Sequence, residues 1–306
     1  MISPLTLWRF GRPHTVIGSM VSITTLFLIL CDRAGSMHWA LFASALVIGV
    51  ACNLFIVGIN QIADLEIDKI NKPELPLPAG DLTLRQGWAI VLTALGLCLT
   101  LALIISPWLF GVVGLAALIG WAYSMPPLHF KRHHLPAALA ITTVRGVLIN
   151  LGGFIVYDHL VNGTVVIPMP VWVLTGFIIA FSITIAWFKD VPDVQGDARH
   201  GIRTLALTYS PRVALITGHV VVGFAYVLTI ATFALYGAGD SCRPSCAHIL
   251  LWGHVLLFAL FLTNGASLVT GRSRSVRAFY MRFWIFFFAE YVLYLIAYLY
   301  GSAICH

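Results

Sequence analysis

Charge is scarce in this chain: Asp, Glu, Lys and Arg make up only 10% of its 306 residues, against roughly 25% in an ordinary soluble domain. That scarcity excludes a solvated globular surface. Acid is scarcer still, with twelve Asp and Glu against eighteen Lys and Arg. Small residues that would mark a cleavage site do not follow the first apolar run, which meets Cys31-Asp32-Arg33 instead. A removed secretory signal is therefore not expected, nor is a Ser/Arg-rich transit peptide, so the chain reads as bacterial or as a mature form. Among the six cysteines no Cys/His spacing reads as a zinc site. Cys52 and Cys98 fall in apolar runs as fillers. Cys242 and Cys246 can pair in an oxidising compartment.

Apolar residues are abundant, at 59%. A spanning helix needs about 20 of them in a run, and nine such stretches occur, near 14–31, 40–59, 88–106, 108–125, 137–156, 170–188, 213–236, 247–270 and 278–300. They fill the chain and leave no room for a soluble domain. The expectation is an all-α, polytopic membrane bundle of nine transmembrane helices forming one domain over residues 1–306. A net charge of +6 would suit a nucleic-acid binder, but the charges are sorted by side of the membrane. Fifteen Lys and Arg fall at the ends and loops of one side, Arg33 and Arg243 on the other, and Arg145 inside a helix. By the positive-inside rule the N-terminus is cytoplasmic and the C-terminus outside, in a bacterial inner or thylakoid-type membrane. The partner is the lipid bilayer, with no nucleic acid.

The acids run against that rule. Eight of the twelve sit in two loops on the basic side: Asp64, Glu66, Asp68, Glu74 and Asp81, then Asp190, Asp193 and Asp197. If the second helix continues, Asn60, Asp64 and Asp68 share one face. Asp190, Asp193 and Asp197 share another, loosened by Pro192 and Gly196. Like charges at that spacing destabilise a bare helix, whereas a hard divalent cation such as Mg²⁺ between them relieves the repulsion. Asp64 to Asp193 and Asp68 to Asp197 have equal separation, each pair following an even-numbered span, which suggests an old duplication. Two facing carboxylate groups that hold metal suit a diphosphate, since Mg²⁺ binds through one or two carboxylates plus substrate phosphates. Lys72, Lys131, Arg132, Lys189 and Arg203 lie on the same side. Lys72, Lys131, Lys189 and Arg203 are candidates to complete the clamp, and Arg132 reads as topology-setting charge. Arg145 within a span costs at least about 2.5–3.5 kcal/mol on insertion scales. It faces a substrate carboxylate or phosphate, or else pairs with Glu290, which lies deep in another apolar stretch. Asn150 and Asn264 read as interhelical hydrogen-bond partners.

The segment 60–80, NQIADLEIDKINKPELPLPAG, and DVPDVQGD at 190–197 resemble the two signatures of the UbiA-type intramembrane prenyltransferases. YSMPPLHFKR at 123–132 and TVRGVLIN at 143–150 extend the likeness over nearly the whole chain. Within that superfamily the chain is most similar to the homogentisate prenyltransferases, the phytyl, geranylgeranyl and solanesyl group. The motif opens with Asn-Gln where many relatives have Asn-Asp, and its tail INKPELPL differs from the chlorophyll synthase version. Tyr123 and Lys131 stand farther apart than the Tyr-Lys pair of other quinone-pathway members. The resemblance implies a central cavity capped on the cytoplasmic side by the two Asp-bearing loops. It implies Mg²⁺ as cofactor, with Asp64, Asp68, Asp193 and Asp197 as ligands and Asn60 and Asp190 assisting. Lys131 and Lys189 would contact diphosphate oxygens. The implied reaction is transfer of a prenyl group (phytyl, geranylgeranyl or longer) from prenyl diphosphate to homogentisate with decarboxylation, in tocopherol and prenylquinone synthesis. Alternatives are a hydroxybenzoate or dihydroxynaphthoate acceptor, or chlorophyllide esterification. From another class, a divalent-cation transporter shares the gross architecture but would place its site near the bilayer midplane.

Overall fold

The computed structural model describes residues 2–237, 244–269 and 276–303. Among them nine helices are long and apolar enough to cross a membrane. A hydrocarbon environment forces this outcome, because a spanning segment must satisfy its backbone polar groups internally. The chain opens with a short helix, α1 (Pro4–Phe10), followed by the first two spans, α2 (Pro13–Ala34) and α3 (Trp39–Ala63). A short helix α4 (Leu65–Asn71) then precedes α5 (Leu84–Ile105) and α6 (Pro107–Ser124). The fifth span is composite: α7 (His134–Thr142), a π-helical segment Thr143–Gly152, and α8 (Gly153–Asn162). The sixth is α9 (Met169–Phe188), after which short helices α10 (Val194–Arg199) and α11 (Leu205–Thr208) lead into α12 (Pro211–Tyr236). The last two spans are α13 (Pro244–Val269) and α14 (Val276–Ala303). Cys242, with Asp240, Arg243, Arg272, Arg274 and Cys305, lies outside the described residues.

Local chemistry places the breaks. Thr83 and Gln86 form a reciprocal capping box at the start of α5. Ser106-Pro107 and Ser210-Pro211 open α6 and α12, the serine hydroxyl accepting a backbone N–H and the proline taking a first-turn position where no donor is needed. Large apolar side chains such as Ile104, Trp108, Leu235 and Trp252 point outward and are exposed, as lipid-facing surface requires. Inside, an aromatic spine joins α9, α12 and α14, with Phe181 and Phe283 stacked at 4.2 Å and Phe177 against Tyr226 at 4.7 Å.

One conditional reading fails, and one of the two alternatives for Arg145 is excluded. The second span does not run unbroken through the first acid motif. Asp64 leaves helical geometry (φ −99°, ψ 10°) and separates α3 from α4, although its N–H still bonds to the Asn60 carbonyl at 2.9 Å. Arg145 does not pair with Glu290. The Glu290 carboxylate is taken by His254 at 2.7 Å, both fully buried between α13 and α14. Asn150 does join two spans, accepting from the Tyr291 hydroxyl at 2.8 Å. At the opposite end of the bundle from the acid motifs, Arg33 donates to both oxygens of buried Asp158, at 2.8 and 2.7 Å, and so ties α2 to α8.

Candidate active site

The two acid motifs meet. Asp64 separates α3 from α4, residues 189–193 separate α9 from α10, and α4 and α10 are in contact. Asn71, the last residue of α4, accepts the backbone N–H of Gly196 in α10 at 2.9 Å. Lys72 Nζ bonds to Asp193 and lies 3.8 Å from Asp68 Oδ1. A side chain at 196 would collide with this clamp, since an added Cβ would fall 2.4–2.6 Å from the Asn71 amide. Glycine at 196 lets the Asn71 amide reach the backbone N–H there without moving aside.

Beneath them lies a cavity of about 730 Å³. Asn60, Asp64, Asp68, Lys72, Lys131, Lys189, Asp190, Asp193 and Asp197 all line it, as does Arg145. Away from the charged end its wall is apolar, reaching Leu26, Phe27, Leu30, Ala45, Phe154 and Tyr157. Arg203 is the exception among the candidate residues. It is exposed, and its backbone pairs with the Arg132–His134 stretch, donating to the Arg132 carbonyl at 2.8 Å.

Polar groups at the charged end are held in pairs. Asn60 donates to Asp64 Oδ2 at 2.9 Å and approaches buried Ser124 at 3.5 Å. Lys131, itself buried, bonds to the other oxygen of Asp64. Burial pushes the Lys131 ammonium down, and Asp64 opposes that. Lys189 bonds to Asp190 and sits 5.8 Å over the Tyr123 ring. Burial also works against its charge, but Asp190 and Tyr123 outweigh it and hold the ammonium well above its ordinary value. Asp68 and Asp197 are less well served. Burial pushes Asp68 up to about 6, with Lys72 and Arg12 pulling the other way. Burial, reinforced by Asp190, pushes Asp197 up to about 7.

Burial therefore works against the charge of both carboxylates. Asp68 Oδ2 is buried with no hydrogen-bond partner, and its nearest cation there is Arg12 at 3.8 Å. Oxygen donors of this kind fit a hard divalent cation. Among the described residues no three acidic, His or Cys side chains form a ready-made metal cluster. Mg²⁺ commonly binds through one or two carboxylates and completes its sphere with water and phosphate oxygens.

Several wall residues carry no sequence signal of their own. Arg12 and His14 precede and open the first span, where a basic residue reads as topology. The fold brings both to the cavity because α1 packs back on α3, Gln61 donating to the Phe10 carbonyl. Asn71 lies within the first acid motif, but its bridging role needs the second motif in place. Tyr280 and Trp284 come from the final span, remote in sequence from every other wall residue except Met281.

Residues 21–288 match the UbiA prenyltransferase family. The chain is 38% identical over 299 residues to a homogentisate phytyltransferase of Synechocystis sp., covering 95% of this chain and 94% of that protein. It is 34% identical to a chloroplastic homogentisate solanesyltransferase of Arabidopsis thaliana, covering 94% and 75%. In fold it resembles a UbiA homolog from Archaeoglobus fulgidus bound to GPP and Mg²⁺, with a TM-score of 0.65 at 15% identity over 96% and 99% of the two chains. A UbiA homolog from Aeropyrum pernix gives 0.67 at 19% identity, over 95% and 98%.

Proposed function

The chain belongs to the UbiA prenyltransferase family and is a membrane-embedded prenyltransferase, and we propose that it transfers a prenyl group (phytyl, geranylgeranyl or longer) from the diphosphate to homogentisate with loss of CO₂. The observation that carries the reading is the meeting of the two aspartate motifs over the charged end of an apolar-walled cavity. The choice of acceptor is supported by relatives named for homogentisate, aligned over nearly all of this chain.

Asp64, Asp68, Asp193 and Asp197 would hold Mg²⁺, with Asn60 and Asp190 assisting. Bound Mg²⁺ would supply Lewis-acid neutralisation of the diphosphate leaving group. Asn60 fixes the orientation of the Asp64 carboxylate through their 2.9 Å bond. Lys131 and Lys72, which neutralise Asp64 and Asp193 here, turn to diphosphate oxygens, joined by Lys189. Preorganised cations aimed at the departing oxygens stabilise charge that develops as the allylic C–O bond breaks. The electron-rich ring then forms the new C–C bond. The apolar wall houses the prenyl tail and keeps water from the carbocation. Arg203, exposed outside the cavity, steers anions toward it at most. We further propose a cytoplasmic N-terminus, and a tocopherol or prenylquinone pathway as the setting.

The test is Mg²⁺-dependent release of diphosphate, with prenylated product, on adding geranylgeranyl or phytyl diphosphate and homogentisate to purified protein. Asp64→Ala and Asp193→Ala should abolish turnover without unfolding the bundle. Near-normal activity in both variants would show that these carboxylates do not hold the metal.

A further inference from the structure

A guanidinium inside a membrane bundle needs an anion or a polar partner. Arg145 has neither: no hydrogen bond or ion pair is made by its side chain among the described residues, and Nη1 is buried without a partner. Its natural counter-ion in a neighbouring span, Glu290, is bound to His254 instead. What holds Arg145 is aromatic. Its Cζ lies 4.8 Å from the Trp284 ring centroid and 5.4 Å from that of Phe287. Contact of this kind occupies the face of the guanidinium and leaves its N–H donors for a planar bidentate partner.

The side chain lines the same cavity as the aspartates, yet it is separate from their charge cluster. Asp193, Asp64 and Asp190 make their ion pairs with Lys72, Lys131 and Lys189, and none with Arg145. Around it the wall is built of flat rings. His14 meets Trp284 edge-on at 4.9 Å, and Tyr280 meets Trp284 edge-on at 6.4 Å. His14, Tyr280 and Trp284 all line the cavity. A cationic fork set among ring edges, beside but apart from the diphosphate site, matches a small aromatic carboxylate.

We propose that Arg145, with His14, Tyr280 and Trp284, forms the acceptor subsite, the guanidinium binding the carboxylate that the aromatic acceptor carries on its side chain. This rests on the prenyl-transfer reading above and deepens it. The carboxylate becomes the group that admits an acceptor, so an otherwise identical hydroquinone without a free acid is rejected. A bidentate site left unpaired by the wrong ligand discriminates strongly, because its buried donors lose their only partner.

The test is calorimetric titration of the full chain with homogentisate and with its methyl ester, in the presence of Mg²⁺ and an unreactive prenyl thiodiphosphate. The native protein should bind the acid at least tenfold more tightly than the ester. Arg145→Gln should erase that preference, and Arg145→Lys, a charge without the planar fork, should cut it at least threefold. Equal affinity for acid and ester in the native protein overturns the subsite. So does an undiminished preference in Arg145→Gln, or weakened thiodiphosphate binding there with the acid-to-ester ratio unchanged, which would assign the guanidinium to phosphate. If Arg145→Gln does not fold, the native ratio and the Lys variant decide. Should the acid be preferred while no prenylated product ever forms, the subsite stands and the homogentisate reaction falls. Product formed equally well from acid and ester removes the subsite and leaves prenyl transfer standing.

Discussion

Gly196→Ala adds one methyl group where the two aspartate motifs touch. Its Cβ would lie 2.4 Å from Asn71 Oδ1, 2.5 Å from Nδ2 and 2.6 Å from Cγ, all far below van der Waals contact. The backbone need not move, because the Asn71 amide can swing away. Swinging it breaks the 2.9 Å bond to the residue 196 N–H, a loss of about 0.5–1.5 kcal/mol. A strained rotamer adds about 0.5–1.5 kcal/mol. The clamp between α4 and α10 is thereby weakened by on the order of 1–3 kcal/mol, or roughly 5- to 150-fold if closure is needed in the transition state. Intrinsic helix propensity acts the other way, favouring Ala by about 1 kcal/mol within α10. Thermal stability should consequently hold while kcat/KM for prenyl diphosphate drops. Asn71→Ala alone removes the hydrogen bond and also removes the three atoms that the new methyl group would strike. The double variant should then resemble Asn71→Ala, giving a strongly less-than-additive cycle. Steady-state kinetics on the four proteins measures this. Native kcat/KM in Gly196→Ala, or strict additivity in the double variant, refutes the idea that this contact closes the site.

Other substitutions separate binding, cavity shape and scaffold. Lys131→Met leaves Asp64 without its ammonium, so turnover should fall at least tenfold, with KM for prenyl diphosphate raised. Lys131→Arg should restore little, because the longer planar group does not fit a site built for a point charge. Ala45→Phe fills the apolar reach of the cavity near Phe27 and Tyr157 and should lower the rate with C20 diphosphates more than with geranyl diphosphate, read by competing the two chains in one assay. An equal loss with both would place the tail elsewhere. Glu290→Ala breaks the buried pair with His254 and should destabilise by about 3–5 kcal/mol, lowering the melting temperature while the acid-to-ester ratio at the acceptor site stays native.

Helix number was legible because lipid leaves little freedom: nine apolar runs in the chain reappear as nine long apolar helices among the described residues. The acid motifs were legible for a related reason, since carboxylates gathered among basic loops have no topological purpose. Their helical periodicity was only half informative. Asn60, Asp64 and Asp68 do share backbone i to i+4 bonds, but the helix breaks at Asp64. The apolar run near 137–156 predicts an ordinary helix for the fifth span. That span instead runs from His134 to Asn162, and its middle is π-helical.

What pattern and composition could establish were properties that depend on neighbours along the chain, namely which segments cross the bilayer and which residue types could grip a metal and a diphosphate. Pairings across the bundle were beyond them. That Glu290 answers His254 and leaves Arg145 on aromatic faces, that Asn71 meets Gly196, and that Arg12 and His14 fold back to the cavity are set by helix packing. In that packing, residues far apart in the chain come within a hydrogen bond of one another, and no local pattern records such a distance.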